Sequence, residues 1–516
     1  MTMVQEPSRS EQDHHLRTDD LLIDLGRRTA KGGAVTIVSQ GTKFLLSIVG
    51  TMILARILTP EDYGLIGMVA VVTGFIAIFK DLGLSAATIQ SANITSEQVS
   101  ALFWFNVGIS VAIMILTAAI APLIAWFYGQ PQLTNITFGY ACGFLLGGLA
   151  VQHEALLRRR MRFTALAVCE MFSLIVSIIV AITLAIQGLR YWALVLSQLS
   201  LGLTYALAVW TACRWRPGLP TRNSGVRSML AFGGNLTGFS VVNYFARNLD
   251  NLLIGRIWGA EQLGLYARAY QLLLLPIDQI NAPITAVAVP ALSRLKDSPE
   301  RYRTAYLRLL EKVALMTMPA MAFMIATSDW LVSLALGPKW AGVSRIFALL
   351  GLIGLVQPIA STTGWLFISQ GRTDDMFRWS MIGSTTLILG IIAGLKWGAI
   401  GVAASYSVTF VVIVAPLLFW YVCRKGPIRT MDFYRTIAPV LSATIVSLLA
   451  CIAFRRFVPP INPFIGILLT LAICLVTFVL ALFILPAGRL LLKDVFKSAQ
   501  LVVPGLDRVW LRYLEP

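Results

Sequence analysis

Two sets of polar residues in this chain have types and spacing that could do chemistry. Gln40, Lys43, Ser47 and Thr51 recur at intervals of three, four and four, one face of a 3.6-residue helix, inside an otherwise apolar stretch. Ser240, Asn243, Arg247 and Asn251, with Asp250 beside them, repeat the pattern 200 residues later. A cation within an apolar helix costs several kcal/mol, so it faces a cavity or a partner rather than hydrocarbon. Arg offers a planar fork of donors and Lys a compact point charge, a combination suited to an anion such as a phosphate. Arg268, one turn from Gln271, is a third candidate, and Glu170, Asp250 and Asp278 are acids in similar settings that could hold a coupling proton or sodium ion. Plainer readings stand beside these. Lys43 could snorkel to an interface, Arg247 could pair with Asp250 or Asn251, Arg268 could be an interfacial charge, and each acid could be salt-bridged and inert.

The elements that must position these residues follow from composition. Of 516 residues, 57% are hydrophobic and only 13% charged, against about a quarter charged in a soluble globule. The expected fold class is therefore an all-α polytopic membrane protein. Fourteen stretches approach the roughly 20 apolar residues that a spanning helix needs. With both termini inside, the proposed cytoplasmic segments hold about 30 of the 42 Lys and Arg and the outer loops about eight, the asymmetry of the positive-inside rule. Topology thus accounts for the net charge of +17 without nucleic acid. Arg455 and Arg456, which fall outside, are the exception. The six Cys lack C-x-x-C spacing, so neither a disulfide framework nor a metal site is expected. No Walker motif appears.

A phrase spoken twice divides the spans. Arg56-Ile57-Leu58-Thr59-Pro60-Glu61-Asp62-Tyr63-Gly64-Leu65 returns as Arg256-Ile257-Trp258-Gly259-Ala260-Glu261-Gln262-Leu263-Gly264-Leu265, each copy between two apolar stretches. Six spans separate the copies, and an even number returns the chain to the same face. The halves are then parallel repeats about an axis along the membrane normal, enclosing a central cavity. A second echo, Gly188-Leu189-Arg190-Tyr191-Trp192-Ala193 and Gly394-Leu395-Lys396-Trp397-Gly398-Ala399, supports the division. The expected organisation is a cytoplasmic tail at 1–32, an N-terminal lobe at 33–213, a linker at 214–227, a C-terminal lobe at 228–423, two appended helices at 430–486 and an interfacial tail at 487–516. The 200-residue shift aligns the two polar stripes and predicts that Lys43 and Arg247 face the cavity from opposite lobes. The cluster of His153, Glu154 and Arg158 to Arg160 reads as a topological anchor, or as a cavity mouth that captures a lipid pyrophosphate.

RILTPEDYGLIGMVA at 56–70, Asp81-Leu82-Gly83-Leu84 after it, and NYFARNLDNLLIGRIWGAEQLGLYARAYQLLL at 243–274 resemble the bacterial polysaccharide-transport flippases of the Wzx type. That group belongs to the multidrug, oligosaccharidyl-lipid and polysaccharide exporter superfamily. The resemblance implies transfer of undecaprenyl-pyrophosphate-linked oligosaccharide units from the inner to the outer leaflet by alternating access, for exopolysaccharide, capsule or O-antigen. It implies an inner-membrane protein without catalytic residues or a resident cofactor. Its partners would be the polyprenyl-pyrophosphate-linked oligosaccharide, membrane lipids, and a polysaccharide polymerase with chain-length or export proteins. Lys43 and Arg247 would then neutralise the pyrophosphate in passage. A lipid II flippase or multidrug exporter of the same superfamily is the alternative. A multidrug exporter should present acids and aromatics instead of these cations. A membrane-embedded glycosyltransferase or polymerase would need a catalytic acid or His on an ordered outer loop, and the outer loops are short.

Overall fold

The computed structural model describes the backbone of residues 25–80, 94–219, 227–457 and 462–502, together with Ser85, Thr88 and Ile89. The side chains at 25–31, 227–243, 245–246, 275–276, 278–280, 282 and 495–502 are outside the description, as are residues 81–84 and the outer parts of both tails and of the linker. Among the described residues every regular element is a helix. Among the described residues eleven segments are long and apolar enough to cross a membrane. Helices meet their backbone hydrogen bonds internally, which is what lipid demands of a spanning element. The chain is a multi-pass membrane protein, and large apolar side chains such as Trp126, Ile186 and Leu475 stand exposed where lipid would cover them.

The first six helices are α1 (Leu25–Ile57), α2 (Pro60–Ala77), α3 (Ser96–Tyr128), α4 (Gln132–Arg159), α5 (Phe163–Ile186) and α6 (Tyr191–Cys213). The helical run Arg227–Arg294 turns at Gly259 (φ 82°, ψ −177°), giving α7 before it and α8 after it. Then follow α9 (Pro299–Ala326), α10 (Ala341–Ser361, continued by Thr363–Ser369) and α11 (Thr373–Gly394). A turn at Gly398 (φ 71°) starts α12, which runs on to Cys423. The last elements are α13 (Thr430–Phe457), α14 (Pro463–Ile484) and α15 (Pro486–Val502).

The chain divides into two compact units, Met1–Gly264 and Leu265–Pro516. In the first, both copies of the repeated phrase end one helix and start the next. At the earlier copy Thr59 is extended (φ −101°, ψ 161°) and closes a capping box with Asp62, with Pro60 at the start of α2. At the later copy Gly259 takes the position equivalent to Thr59, with a φ that only glycine adopts freely. The copies pack on each other. A Cβ added at Gly64 would lie 1.7 Å from the Ala260 carbonyl oxygen, and one at Gly264 would lie 1.9 Å from that of Pro60. Under the 200-residue shift each contact is the exchange of the other, as across a two-fold interface.

The second echo also touches the first phrase. Arg190, held at φ 46°, donates to Glu61 at 3.0 Å and lies 3.2 Å from the buried Asp62. The Asp62 carboxylate, and Glu61 after it, hold this guanidinium above its ordinary pKa. The later copy of the echo has a different backbone: its positive φ falls at Gly398, and residues 395–397 form a 3₁₀ turn.

The second unit is built round a core that includes Tyr302, Tyr306, Phe419 and Phe433. Its buried hydroxyls are satisfied in pairs, Tyr306 with Thr362 at 2.7 Å and Tyr302 with Ser369 at 2.6 Å. Arg303 bonds Asp432 at 2.5 Å, and Asp375 receives both Arg372 and Lys425 at 3.2 Å. Arg455 now has a role that charge counting alone missed. It bonds Asp329 at 2.5 Å, donates to the Ala326 carbonyl at the end of α9 and lies 4.1 Å over the Trp330 ring. This exception to the charge asymmetry is a locally neutralised helix clamp. Beyond Pro486, α15 mixes apolar and basic residues as an interfacial helix does, and Leu491 plugs it into the core.

Candidate functional site

Five helices of the first unit enclose a cavity of about 710 Å³. Lys43 and Ser47 reach it from α1, Thr73 and Gly74 from α2, Tyr140 and Gly147 from α4, Glu170 and Ser173 from α5, and Gln198 and Tyr205 from α6. Lys80, just past the end of α2, closes one side. Ser173 and Thr73 bond back to carbonyls one turn earlier in their own helices, at 2.7 and 2.9 Å, so their hydroxyls are already satisfied. The groups that offer the cavity charge are Lys43, Lys80 and Glu170.

Lys43 and Glu170 form an ion pair across α1 and α5, their side chains 20% and 26% exposed. Away from bulk water two charges 4 Å apart attract by about 4 kcal/mol at an effective dielectric of 20, before the cost of desolvating them, so the pair favours the helix rotations that bring the two side chains together. The Lys80 ammonium occupies the space that Gly147 leaves: a Cβ there would lie 1.9 Å from Nζ. Gly139, Gly143 and Gly147 fall on one face of α4 and all line the cavity, and the room left at Gly139 is taken by Val195 as that at Gly147 is by Lys80. Lys80 also lines a smaller cavity of about 230 Å³ with Ser85, Glu154 and Arg158. There Arg158 donates to Glu154 at 2.8 Å, and the Tyr205 hydroxyl bonds the same carboxylate. Charged groups therefore run from Arg158 and Glu154 through Lys80 to Lys43 and Glu170, all within one unit.

The anchor cluster separates into two parts. His153 is fully buried, stacked on Trp210 at 4.4 Å with a ring nitrogen 3.3 Å from the Trp215 carbonyl, and Arg159 donates to the Thr88 carbonyl. Those two hold the chain together. Glu154 and Arg158 instead face the smaller cavity.

Of the residues expected from the sequence, Lys43, Ser47 and Glu170 come together in the larger cavity. Gln40 is exposed and outside its lining. Arg247 is exposed, also outside that lining, and pairs with neither Asp250 nor Asn251 among the described residues. Asp250 is buried and accepts the backbone N–H of Asn251 at 2.8 Å, while Asn251 Oδ1 is buried with no hydrogen bond among the described residues. Arg268, in the second unit, donates to Gln271 at 2.5 Å. The side chains of Asn243 and Asp278 lie outside the described residues.

The cavity residues that sequence reasoning missed are Lys80, Tyr140, Gln198 and Tyr205. In the sequence Lys80 reads as one of the cytoplasmic charges of the positive-inside pattern, although it follows the apolar run so closely that a long side chain reaches back into the bundle. The four-residue glycine spacing in α4 was the other available signal.

A family model described as polysaccharide biosynthesis protein matches residues 53–345. The teichuronic acid biosynthesis protein TuaB of Bacillus subtilis (strain 168) is 28% identical over 77% of this chain and 83% of its own length. The lipopolysaccharide biosynthesis protein WzxC of Escherichia coli (strain K12) is 26% identical over 78% of this chain and 82% of its own length. In fold, the chain is similar to the lipid II flippase MurJ in an inward closed conformation. That match has a TM-score of 0.70 at 16% identity and covers 89% of this chain and 99% of the other.

Proposed function

Because the chain belongs to the polysaccharide biosynthesis protein family, we propose that it carries a polyprenyl-pyrophosphate-linked oligosaccharide from the inner to the outer leaflet of the bacterial cytoplasmic membrane. The observation that carries this reading is the cationic cavity within a bundle of membrane helices, whose described lining holds Lys43 and Lys80 with one acid, Glu170. A pyrophosphate crossing a bilayer must exchange its hydration for protein donors, and two ammonium groups supply them without a metal. Before substrate arrives, Glu170 occupies Lys43. A pyrophosphate, carrying more charge than one carboxylate, competes for that ammonium, and the displaced Glu170 becomes the place for a coupling proton or sodium ion. Arg247 is the cation offered to the substrate from α7. Two pseudo-twofold lobes, 33–213 and 228–423, rock about the repeated phrase to expose the pathway alternately, and both termini are cytoplasmic. The chain acts as a transporter with no resident cofactor, and a polymerase and chain-length or export proteins act on what it delivers.

The likeness to a lipid II flippase is one of fold, whereas the family model is described by polysaccharide biosynthesis and the two relatives by teichuronic acid and lipopolysaccharide biosynthesis. Deleting the gene and complementing with Lys43→Ala, Lys80→Ala and Arg247→Ala separates these. The expected result is lost surface polysaccharide with lipid-linked oligosaccharide retained on the inner leaflet, uncorrected by the lysine variants. Lethality through loss of peptidoglycan would favour lipid II, and full correction by every variant would remove the cavity from the mechanism.

A further inference from the structure

The outer side of α5 and α6 carries a third concavity, apart from the two cavities described above. Val168 and Phe172 are two residues to either side of Glu170, so they project from roughly the opposite face of α5. With Leu207 of α6 they line a furrow of about 840 Å³, and they are 61%, 56% and 59% exposed. Two of the three threonine hydroxyls in its walls are spent on their own helix: Thr204 donates to the Ser200 carbonyl at 2.6 Å and Thr211 to that of Ala208 at 2.8 Å, while Thr164 sits beside Arg162 at the basic end. The rest of the furrow is lined mainly by Ala165, Val168, Phe172, Leu207 and Ala208.

One end is strongly basic. Arg162 lines the furrow there, exposed, with one N–H on the Ala212 carbonyl at 3.1 Å, which leaves the rest of its fork for another acceptor. Arg160, Arg162 and Arg216 all act electrostatically on Cys213, the last residue of α6, so that end carries positive charge, with Arg162 lining the furrow and Arg216 held over the Trp210 ring with Nη1 on the Trp210 and Trp215 carbonyls. From Arg162 to Phe172 the helix rises about 15 Å, half of a hydrocarbon core of roughly 30 Å. The furrow is one leaflet deep, with its cations at headgroup level.

We propose that this furrow is a binding site for an anionic glycerophospholipid, its phosphate on the Arg162 end and one acyl chain lying between α5 and α6. The match of one leaflet's depth to an acyl chain favours a phospholipid over a polyprenyl tail, which is several times longer. A lipid held here would buttress the wall that carries Glu170.

Native mass spectrometry of the full-length protein, loaded with phosphatidylglycerol or phosphatidylcholine of identical chains, tests this. Phosphatidylglycerol should be retained preferentially, by roughly fivefold for each arginine engaged. Arg162→Ala should reduce that preference about fivefold, on the same single-charge basis, while Arg162→Lys keeps most of it. Ala208→Trp, which fills the furrow floor without touching the arginines, should reduce retention of both lipids. Equal retention of the two lipids by the wild type would overturn the proposal. So would unchanged retention in Ala208→Trp, or displacement of the phospholipid by a stoichiometric polyprenyl phosphate.

Discussion

Gly147→Ala moves one ammonium group without touching any charged residue. The added Cβ would meet Lys80 Nζ at 1.9 Å and Cε at 2.6 Å, and ordinary contact begins at 3.4 Å, so Nζ must retreat by 3.4 minus 1.9, or 1.5 Å. The obstructed atoms are the far end of a flexible side chain, so the fold absorbs the change. Replacing a mid-helix Gly by Ala even favours the helix by about 0.5–1 kcal/mol. The substrate loses more. An ammonium drawn from 4 to 5.5 Å from a phosphate at an effective dielectric of 20 gives up about 1 kcal/mol, roughly fivefold. The expected outcome is a protein with equal or higher melting temperature whose translocation rate at limiting substrate falls about fivefold. In a Lys80→Ala background the same substitution should do nothing, since the group it displaces is gone. Wild-type transport by Gly147→Ala, or an equal loss in the Lys80→Ala background, would refute the role assigned to Lys80.

Three further outcomes are expected. Lys43→Ala leaves Glu170 without its counter-charge and should lower stability by about 1–2 kcal/mol, less than the 3–5 of a fully buried pair because both groups are partly exposed. Adding Glu170→Gln should restore the melting temperature but not transport, and recovery of both would make the pair merely structural. Gly64→Ala and Gly264→Ala drive a Cβ into a backbone carbonyl, which cannot swing away. Each should cost several kcal/mol by overpacking, seen as lost folded protein, and a tolerated Gly264→Ala would contradict the reciprocal contact. Asp62→Ala removes the acceptor of the Thr59 N–H in the capping box and a buried partner of Arg190, so it should destabilise by about 1 kcal/mol. Glu61→Ala, whose pair with Arg190 is solvent-exposed, should cost less than about 1 kcal/mol by the same thermal assay.

Helix positions were legible because they depend on composition along the chain. Runs of apolar residues bounded by Thr59-Pro60, Gly129 and Pro463 leave little freedom in where a helix begins or ends. The repeated phrase was legible for the same reason, and its register carried over into a physical contact between Gly64 and Ala260. Partners between helices were not, because they depend on the rotation and vertical offset of each helix, which periodicity does not encode. Lys43 could be assigned to a polar face, but nothing near it in sequence points to Glu170, 127 residues on. Arg455 looked anomalous until Asp329, 126 residues earlier, came beside it. Lys80 was hidden by its position at a helix end, where the usual reading of a Lys is a topological charge.

Reconstitution of the purified chain in liposomes with a fluorescent polyprenyl-pyrophosphate-linked oligosaccharide measures its transfer between leaflets. The cationic cavity predicts transfer well above protein-free vesicles, lost at least tenfold in a folded Lys43→Ala, Lys80→Ala double variant. No transfer above protein-free vesicles, or wild-type transfer by the double variant, would contradict it.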